Sequence, residues 1–100
     1  MKSTITTENG KSIITIEGRI DTLTATDFLK EIEPLMNIEN PDIEINCKKL
    51  EYISSSGLRA LLSLQKSVSA NGGKLVLLHT APAINEVFKI TGFSSIFTII

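Results

Sequence analysis

The sequence predicts an α/β domain with a mixed sheet of about five strands and about three helices packed against it. Three observations lead to this fold class. Asn9-Gly10 separates two short segments of alternating apolar and polar residues, a strong signal for an antiparallel hairpin. A strand-like, a helical and a second strand-like segment follow one another from Ile43 to Leu78, as in a parallel crossover unit. Apolar residues also recur at helical spacing in three separate stretches.

The first elements are two strands and a helix. The hairpin strands are expected at about residues 3–8 and 11–17, and Gly18-Arg19-Ile20-Asp21 is expected to leave the sheet as a loop. Thr24 and Asp27 have the spacing of a capping box, and an apolar stripe from Ala25 to Met36 predicts the first helix. Pro34 should end or kink that helix near Glu33, because proline lacks an N–H and clashes with the preceding turn.

The second half repeats the strand and helix pattern. Ile43, Ile45 and Cys47 alternate with polar residues and predict a strand, in which Cys47 is a small buried hydrophobe. A helix begins at the serines that follow and ends near Asn71-Gly72-Gly73. The uniformly apolar segment 75–78 is expected to be a central strand buried on both faces.

The last elements are a helix and a strand. Pro82 fits the first turn of a helix, and Gly92 stands at the expected end of that helix. The apolar segment from Ile96 to Ile100 is expected to be the final strand, whose free edge could pair with a second copy of the chain. The oligomeric state stays open.

Composition narrows the class of protein. One hundred residues suffice for one domain, expected over residues 1–100. The net charge of -1 gives no electrostatic reason to expect a nucleic acid partner. The longest apolar run is too short to span a bilayer, and the N-terminus has no apolar signal core, so no direct membrane insertion is expected. The only cysteine, Cys47, cannot form an internal disulfide, so a reduced, cytoplasmic location is expected.

Catalytic and metal chemistry find little support. His79 and Cys47 are the only histidine and cysteine and have no ligand spacing, so neither a metal nor a cofactor is expected. A serine hydrolase could be imagined from Ser55, His79 and Asp21. No Gly-x-Ser-x-Gly elbow surrounds the serines, however, so no catalytic residue is expected. A small hydrolase using Ser55 remains the least favoured alternative.

The stretch Ser54-Ser55-Ser56-Gly57 is the candidate functional element. It stands between an apolar strand and a helix that continues with Leu58, Leu61 and Leu62. Serine is a preferred N-cap residue, and a helix start also suits an anion, because it carries free amide donors and partial positive charge. At this point a serine here is either a simple cap or a hydroxyl that accepts a phosphate.

Three segments resemble one known family. The stretch from Ile45 through Leu58, with its Ser54–Gly57 turn, resembles the central motif of STAS domains and, more narrowly, of bacterial anti-sigma-factor antagonists. Gly18-Arg-Ile-Asp21 is similar to the family's Gly-x-Leu-Asp stretch before its first helix. The segment from Gly72 to Phe93 matches the family's last strand, helix and strand. The resemblance covers nearly the whole chain in order.

The resemblance implies a small, non-enzymatic switch protein. Family members bind an anti-sigma factor that is also a serine kinase and so release a sigma factor. The kinase phosphorylates a serine in an Asp-Ser-Ser-Gly motif, and a serine phosphatase reverses the modification. Carried over residue by residue, the phosphorylated serine is Ser55, and Ser54 replaces the aspartate. The expected partner-facing residues are Asp21, Thr22, Ser54, Ser55, Ser56, Gly57 and Arg59.

Two consequences of the resemblance stay open. Three adjacent hydroxyls leave Ser54 or Ser56 as substitutes for Ser55. The missing aspartate also modestly favours another STAS role, that of an accessory subunit of a membrane transport system for lipids or anions.

Overall fold

The computed structural model describes the whole chain, Met1–Ile100, as one mixed five-stranded sheet with three α-helices. The strands are β1 (Lys2–Glu8), β2 (Lys11–Ile20), β3 (Asp42–Ile53), β4 (Lys74–Leu78) and β5 (Thr98–Ile99). The helices are α1 (Thr24–Ile32), α2 (Ser55–Ala70) and α3 (Pro82–Thr91). Two 3₁₀ turns follow α1 and α3, at Glu33–Asn37 and Phe93–Ser95. The predicted fold class is confirmed.

The sheet order is β1-β2-β3-β4-β5. β1 and β2 are antiparallel, and all other neighbours are parallel. Asn9 and Gly10 join the hairpin with positive φ at both positions, as a tight hairpin turn requires. β3 is the longest strand and the centre of the sheet. Its pairing with β4 ends at Asn46, whereas its pairing with β2 continues to Ile53.

One face of the sheet forms the core. Ile14, Ile45 and Leu77 lie side by side on β2, β3 and β4 and are fully buried. Phe28 of α1, Leu61 and Leu64 of α2 and Phe88 of α3 belong to the same buried cluster. The opposite face carries half-buried residues, among them Thr15, Asn46 and Leu78. The helices therefore cover one face, and the other face is the wetter one.

Four local predictions were wrong. Gly18–Ile20 stays in β2, because two register irregularities let the strand follow β3 past the glycine. β4 is buried on one face only, since no helix covers the other. The segment after Gly92 forms a 3₁₀ turn, and only Thr98–Ile99 pairs with β4. The fourth error, the capping box at the start of α1, concerns the candidate site and is described below.

The predicted ends of two helices are confirmed. α1 stops at Ile32, directly before the 3₁₀ turn that contains Pro34. α3 starts at Pro82 and ends at Gly92, whose φ of 80° lies in the left-handed region that glycine adopts readily. None of the helices is long and apolar enough to cross a lipid bilayer.

Candidate partner-binding site at the start of helix α2

Ser54 is the N-cap of α2. Its backbone is extended, with φ -83° and ψ 171°, and its Oγ accepts a hydrogen bond of 3.1 Å from the Gly57 N–H. The Ser54 carbonyl accepts the first helical bond, from the Leu58 N–H at 2.9 Å. Only 8% of Ser54 is exposed. Its hydroxyl is therefore committed to closing the helix start and is poorly accessible to another protein.

The next two serines differ from Ser54. Ser55 is exposed and Ser56 is half-buried, and both lie in the first turn of α2. The cap bond uses neither of their hydroxyls. The triple serine thus consists of one structural residue, one open residue and one partly covered residue. Side-chain chemistry alone does not separate them, because all three positions have the same side chain; only the family resemblance singled out Ser55.

Gly57 occupies this turn because a larger residue would collide with the sheet below it. A Cβ atom at Gly57 would lie 2.7 Å from Ile20 Cγ2 and 2.8 Å from Ile53 Cγ1. Both isoleucines are buried at the ends of β2 and β3. The glycine therefore lets the first turn of α2 press directly on the sheet, and it is itself buried rather than facing a partner.

The end of β2 lies beside the serines. The Ser54 N–H donates a hydrogen bond of 2.7 Å to the Ile20 carbonyl, which brings Asp21 next to the start of α2. Asp21 Oδ1 accepts hydrogen bonds from the backbone N–H groups of Leu23 and Thr24 at 3.0 and 2.9 Å. The Asp21 N–H in turn donates to Thr24 Oγ1 at 2.9 Å. Asp21 and Thr24 thus form the reciprocal cap of α1.

This cap corrects the prediction for α1. Thr24 and Asp27 were expected to form the capping box, but the residue that accepts the free amides is Asp21, three positions before Thr24. Hydrogen bonds from the Thr24 backbone and side chain, and then from Leu23, together with the charge of Arg19, lower the pKa of Asp21. Asp21 lies near the serines as predicted, but its carboxylate is held by its own loop.

Two exposed features of this end were not predicted. Arg19 and Tyr52 face each other across β2 and β3, and the guanidinium carbon lies 4.3 Å from the centre of the tyrosine ring. The pairing follows from the irregular register of the two strands, which no local sequence signal reveals. Leu23, in the turn after Asp21 and the exposed Thr22, is 84% exposed.

A shallow groove runs from the serines between α1 and α2. Its volume is about 210 Å³, and its lining includes Ser56 and Arg59. The remaining lining residues are small or apolar: Ala25, Thr26, Leu29, Ala60 and Ser63. Arg59 was predicted at the partner-facing surface and is exposed here. The sequence did not predict the groove, because it depends on how two helices pack.

The imagined hydrolase triad is not brought together. His79 follows Leu78, which pairs with Asn46, whereas Ser55 follows Ile53, seven residues further along β3. Seven strand residues span roughly 20 Å, at about 3.3 Å each. His79 instead lines a separate cavity of about 490 Å³ near the chain end. No three His, Cys, Asp or Glu side chains cluster closely enough to hold a metal ion.

Comparison with known proteins agrees with the sequence motifs and with the fold. A model of the STAS domain matches residues 2–100. The chain belongs to the STAS domain family. A protein of Bordetella bronchiseptica named as a candidate anti-sigma factor antagonist, BtrV, is 32% identical over 99% of this chain and 85% of its own length. The anti-sigma-B factor antagonist of Staphylococcus aureus is 24% identical over 91% of this chain and 84% of its own length.

Several solved structures superpose closely on this fold. An anti-sigma factor antagonist from Mycobacterium paratuberculosis has a TM-score of 0.86 at 21% identity and covers 98% of this chain, which covers 83% of it. The Bacillus cell fate determinant SpoIIAA in its phosphorylated form has a TM-score of 0.75 at 18% identity. The match covers 99% of this chain and 91% of SpoIIAA. A sulfate transporter family protein from Wolinella succinogenes has a TM-score of 0.73 at 24% identity. The match covers 90% of this chain and 73% of the other. At these identities the likeness concerns the fold.

Proposed function

We propose that this STAS protein is an anti-sigma-factor antagonist. In its unphosphorylated form it binds an anti-sigma factor that is also a serine kinase, and so releases a sigma factor. Phosphorylation at Ser55 dissociates this complex, and a serine phosphatase restores binding by removing the phosphate. The proposed location is the cytoplasm, and ATP belongs to the kinase partner. The proposal rests on the exposed Ser55 hydroxyl at the start of α2 in a chain whose named relatives are anti-sigma factor antagonists.

Accessibility favours Ser55 over its neighbours. The Ser54 hydroxyl accepts the Gly57 N–H, and phosphorylation there would remove the cap and place a dianion in a nearly buried position. Burying an unpaired charge is costly, so Ser54 is a poor substrate. Ser56 lies partly inside the groove between α1 and α2. Ser55 is the one hydroxyl of the three that a kinase reaches without reshaping the turn.

The phosphate can act without unfolding the domain. A helix start tolerates an anion, because backbone N–H groups and partial positive charge face it. The modification adds a charge of about -1.5 to -2 to the surface that a partner would cover. A loss of about 1.4 kcal/mol in binding already reduces the affinity tenfold. SpoIIAA keeps a related fold in its phosphorylated form, which supports a switch on the surface rather than in the core.

A second candidate is an accessory subunit of a transport system. The fold is also similar to that of a sulfate transporter family protein, and Ser54 stands where the antagonist motif has aspartate. In that role the partner would be a transporter component, and binding would not depend on the charge of Ser55. A serine hydrolase is disfavoured by the separation of His79 from Ser55. The absence of Ser55 labelling by a fluorophosphonate would exclude it.

The deciding experiment combines capture and phosphorylation. Wild type, Ser55→Ala and Ser55→Asp would be used to capture partners from the native lysate, with Ser94→Asp as a control that adds the same charge at a distant exposed serine. We expect wild type, Ser55→Ala and the control to retain an anti-sigma factor identified by mass spectrometry, and Ser55→Asp to lose it. That purified factor with ATP should phosphorylate wild type and Ser54→Ala but not Ser55→Ala. Equal capture of transporter subunits by all variants would contradict the proposal.

A further inference from the structure

Arg59 is the only charged residue in the groove between α1 and α2. The two salt bridges of the protein join Lys11 to Glu44 and Lys49 to Glu17. The Arg59 guanidinium therefore has no carboxylate within ion-pair distance. The guanidinium is exposed and presents a planar set of N–H donors that suits carboxylate and phosphate oxygens. It is therefore available for an anion from outside the domain.

The rest of the groove is small and of mixed polarity, with Ala25, Leu29 and Ala60 as its apolar part and hydroxyls from Thr26, Ser56 and Ser63. Ala25 and Ala60 are nearly fully buried at its base, and Leu29 is 40% exposed at its side. The volume of about 210 Å³ is below the range of about 300–1,000 Å³ that is usual for small-molecule sites. The groove therefore suits one small side chain of another protein rather than a cofactor.

Ser55 lies one helical turn before Arg59 on α2. Residues four apart on a helix are surface neighbours, and Ser55 and Arg59 have this spacing in α2. A phosphate on Ser55 therefore lies within reach of Arg59. Because the phosphate belongs to the same helix, it meets Arg59 at a far higher local concentration than a group on a separate protein does.

We propose that Arg59 is a shared anion receptor. In the unphosphorylated chain it binds a carboxylate of the partner protein, on a segment that also seats a small side chain in the groove. In the phosphorylated chain it binds the Ser55 phosphate instead, so the partner loses its contact by competition as well as by repulsion. This inference rests on the proposed function for the presence of a phosphate and a partner.

The first test needs neither kinase nor partner. Phosphoserine would be incorporated at position 55 during synthesis, and the second pKa of the phosphate would be measured by ³¹P NMR in wild type, Arg59→Gln and Lys66→Gln. Lys66 is an exposed cation on the same helix outside the groove and is the matched control. Apart from the substituted residue, every charged group of the chain, Arg19, Asp21 and Asp27 among them, is the same in all three proteins.

A nearby cation favours the dianion, so we expect the pKa of the phosphate to rise by about 0.3 unit in Arg59→Gln, as a helical ion pair of this spacing implies. We expect no rise in Lys66→Gln. Equal pKa values in wild type and Arg59→Gln would overturn the role of Arg59 as the phosphate receptor.

The second test uses calorimetry to measure the affinity of the unphosphorylated protein for the purified anti-sigma factor of the same bacterium. We expect Arg59→Gln to weaken binding about fivefold, the upper range for an exposed ion pair, and Lys66→Gln to leave it unchanged. Arg59→Lys should recover part of the loss. Equal affinity of wild type and Arg59→Gln would overturn the carboxylate contact. Failure of the wild type to bind would instead contradict the proposed function, while the phosphate measurement would still decide whether Arg59 binds the phosphate.

Discussion

Ser54 and Ser55 are chemically identical neighbours with different surroundings. The Ser54 Oγ accepts the Gly57 N–H, whereas Ser55 points into solvent at the same turn. The difference follows from backbone geometry, because Ser54 has extended dihedral angles and precedes the first helical residue. One position therefore holds the helix start in place and the next is free to be modified.

Replacing the cap should cost stability without removing the fold. Ser54→Ala leaves the Gly57 N–H without its acceptor, and we expect a loss of about 1 kcal/mol in the free energy of unfolding. Ser54→Asn should lose less than Ser54→Ala, since asparagine also caps a helix start and adds no charge at this nearly buried position. Urea unfolding monitored by circular dichroism would measure both. Equal losses in Ser54→Ala and in the exposed control Ser55→Ala would contradict the cap.

Gly57 can be tested in the same way. Gly57→Ala would place a Cβ 2.7–2.8 Å from two buried isoleucines, and such overpacking costs about 1–3 kcal/mol. The better helix propensity of alanine offsets up to about 1 kcal/mol. We therefore expect a net loss of about 1–2 kcal/mol, measured by urea unfolding beside Ser56→Ala as a control. A gain in stability would show that the contact with the sheet relaxes easily.

At the scale of elements, two helix starts meet at the end of β2 and β3. α1 is capped by Asp21 and α2 by Ser54, and the Ser54 N–H to Ile20 carbonyl bond joins the two starts. The loop that carries Leu23 is therefore fixed by Asp21. Asp21 is better described as a residue that positions the neighbouring surface than as one whose carboxylate is free for a partner.

Because Asp21 is part of this cap, the free energy of unfolding should depend on pH in the acidic range. The hydrogen bonds from Thr24 and Leu23 lower the pKa of Asp21 in the folded state. A depressed folded pKa adds stability above the ordinary aspartate range, and this contribution is lost as the pH falls through the folded pKa. Wild type should therefore lose more stability than Asp21→Asn as the pH falls through and below the ordinary aspartate range, because the amide side chain does not titrate. Thermal unfolding across this range, with NMR titration of Asp21, would measure it, and parallel curves would contradict the cap.

At the scale of the molecule, the core lies on one side of the sheet and is built around β3. Cys47, on this strand, is 1% exposed, and burial raises the pKa of its thiol to about 12. The thiolate is the nucleophile that attacks a disulfide reagent, so this buried thiol reacts only when the protein opens. The single cysteine is therefore a built-in reporter of global unfolding.

We expect a disulfide reagent to label native Cys47 at least about a thousandfold more slowly than the unfolded chain, because opening costs the free energy of unfolding. Gly57→Ala should label faster, by about tenfold per 1.4 kcal/mol of lost stability. Absorbance of the released thiolate would follow the reaction. Labelling of the native protein at the unfolded rate would show that β3 opens locally.

The sequence predicted the parts that depend on local patterns. The Asn9-Gly10 turn, the helix ends at Pro34 and Gly92, and a serine cap for α2 all follow from chemistry within a few residues. The extension of β2 through Gly18 was missed, because glycine usually signals a loop and the bulges that keep it in the strand depend on β3. The Arg19–Tyr52 pair and the groove were missed because they depend on register and helix packing.

The hairpin turn at Asn9 and Gly10 has a practical consequence for anyone building a reporter from this domain. The turn precedes Lys11 at one end of β2, and the candidate site lies at the other end, ten residues and about 30 Å away. Both turn residues are exposed, and a Cβ atom at Gly10 would meet no atom within 4 Å apart from its chain neighbours. A fluorophore or an immobilisation tether attached to Asn9 would therefore leave the serine face free, so surface-based binding assays should be anchored there.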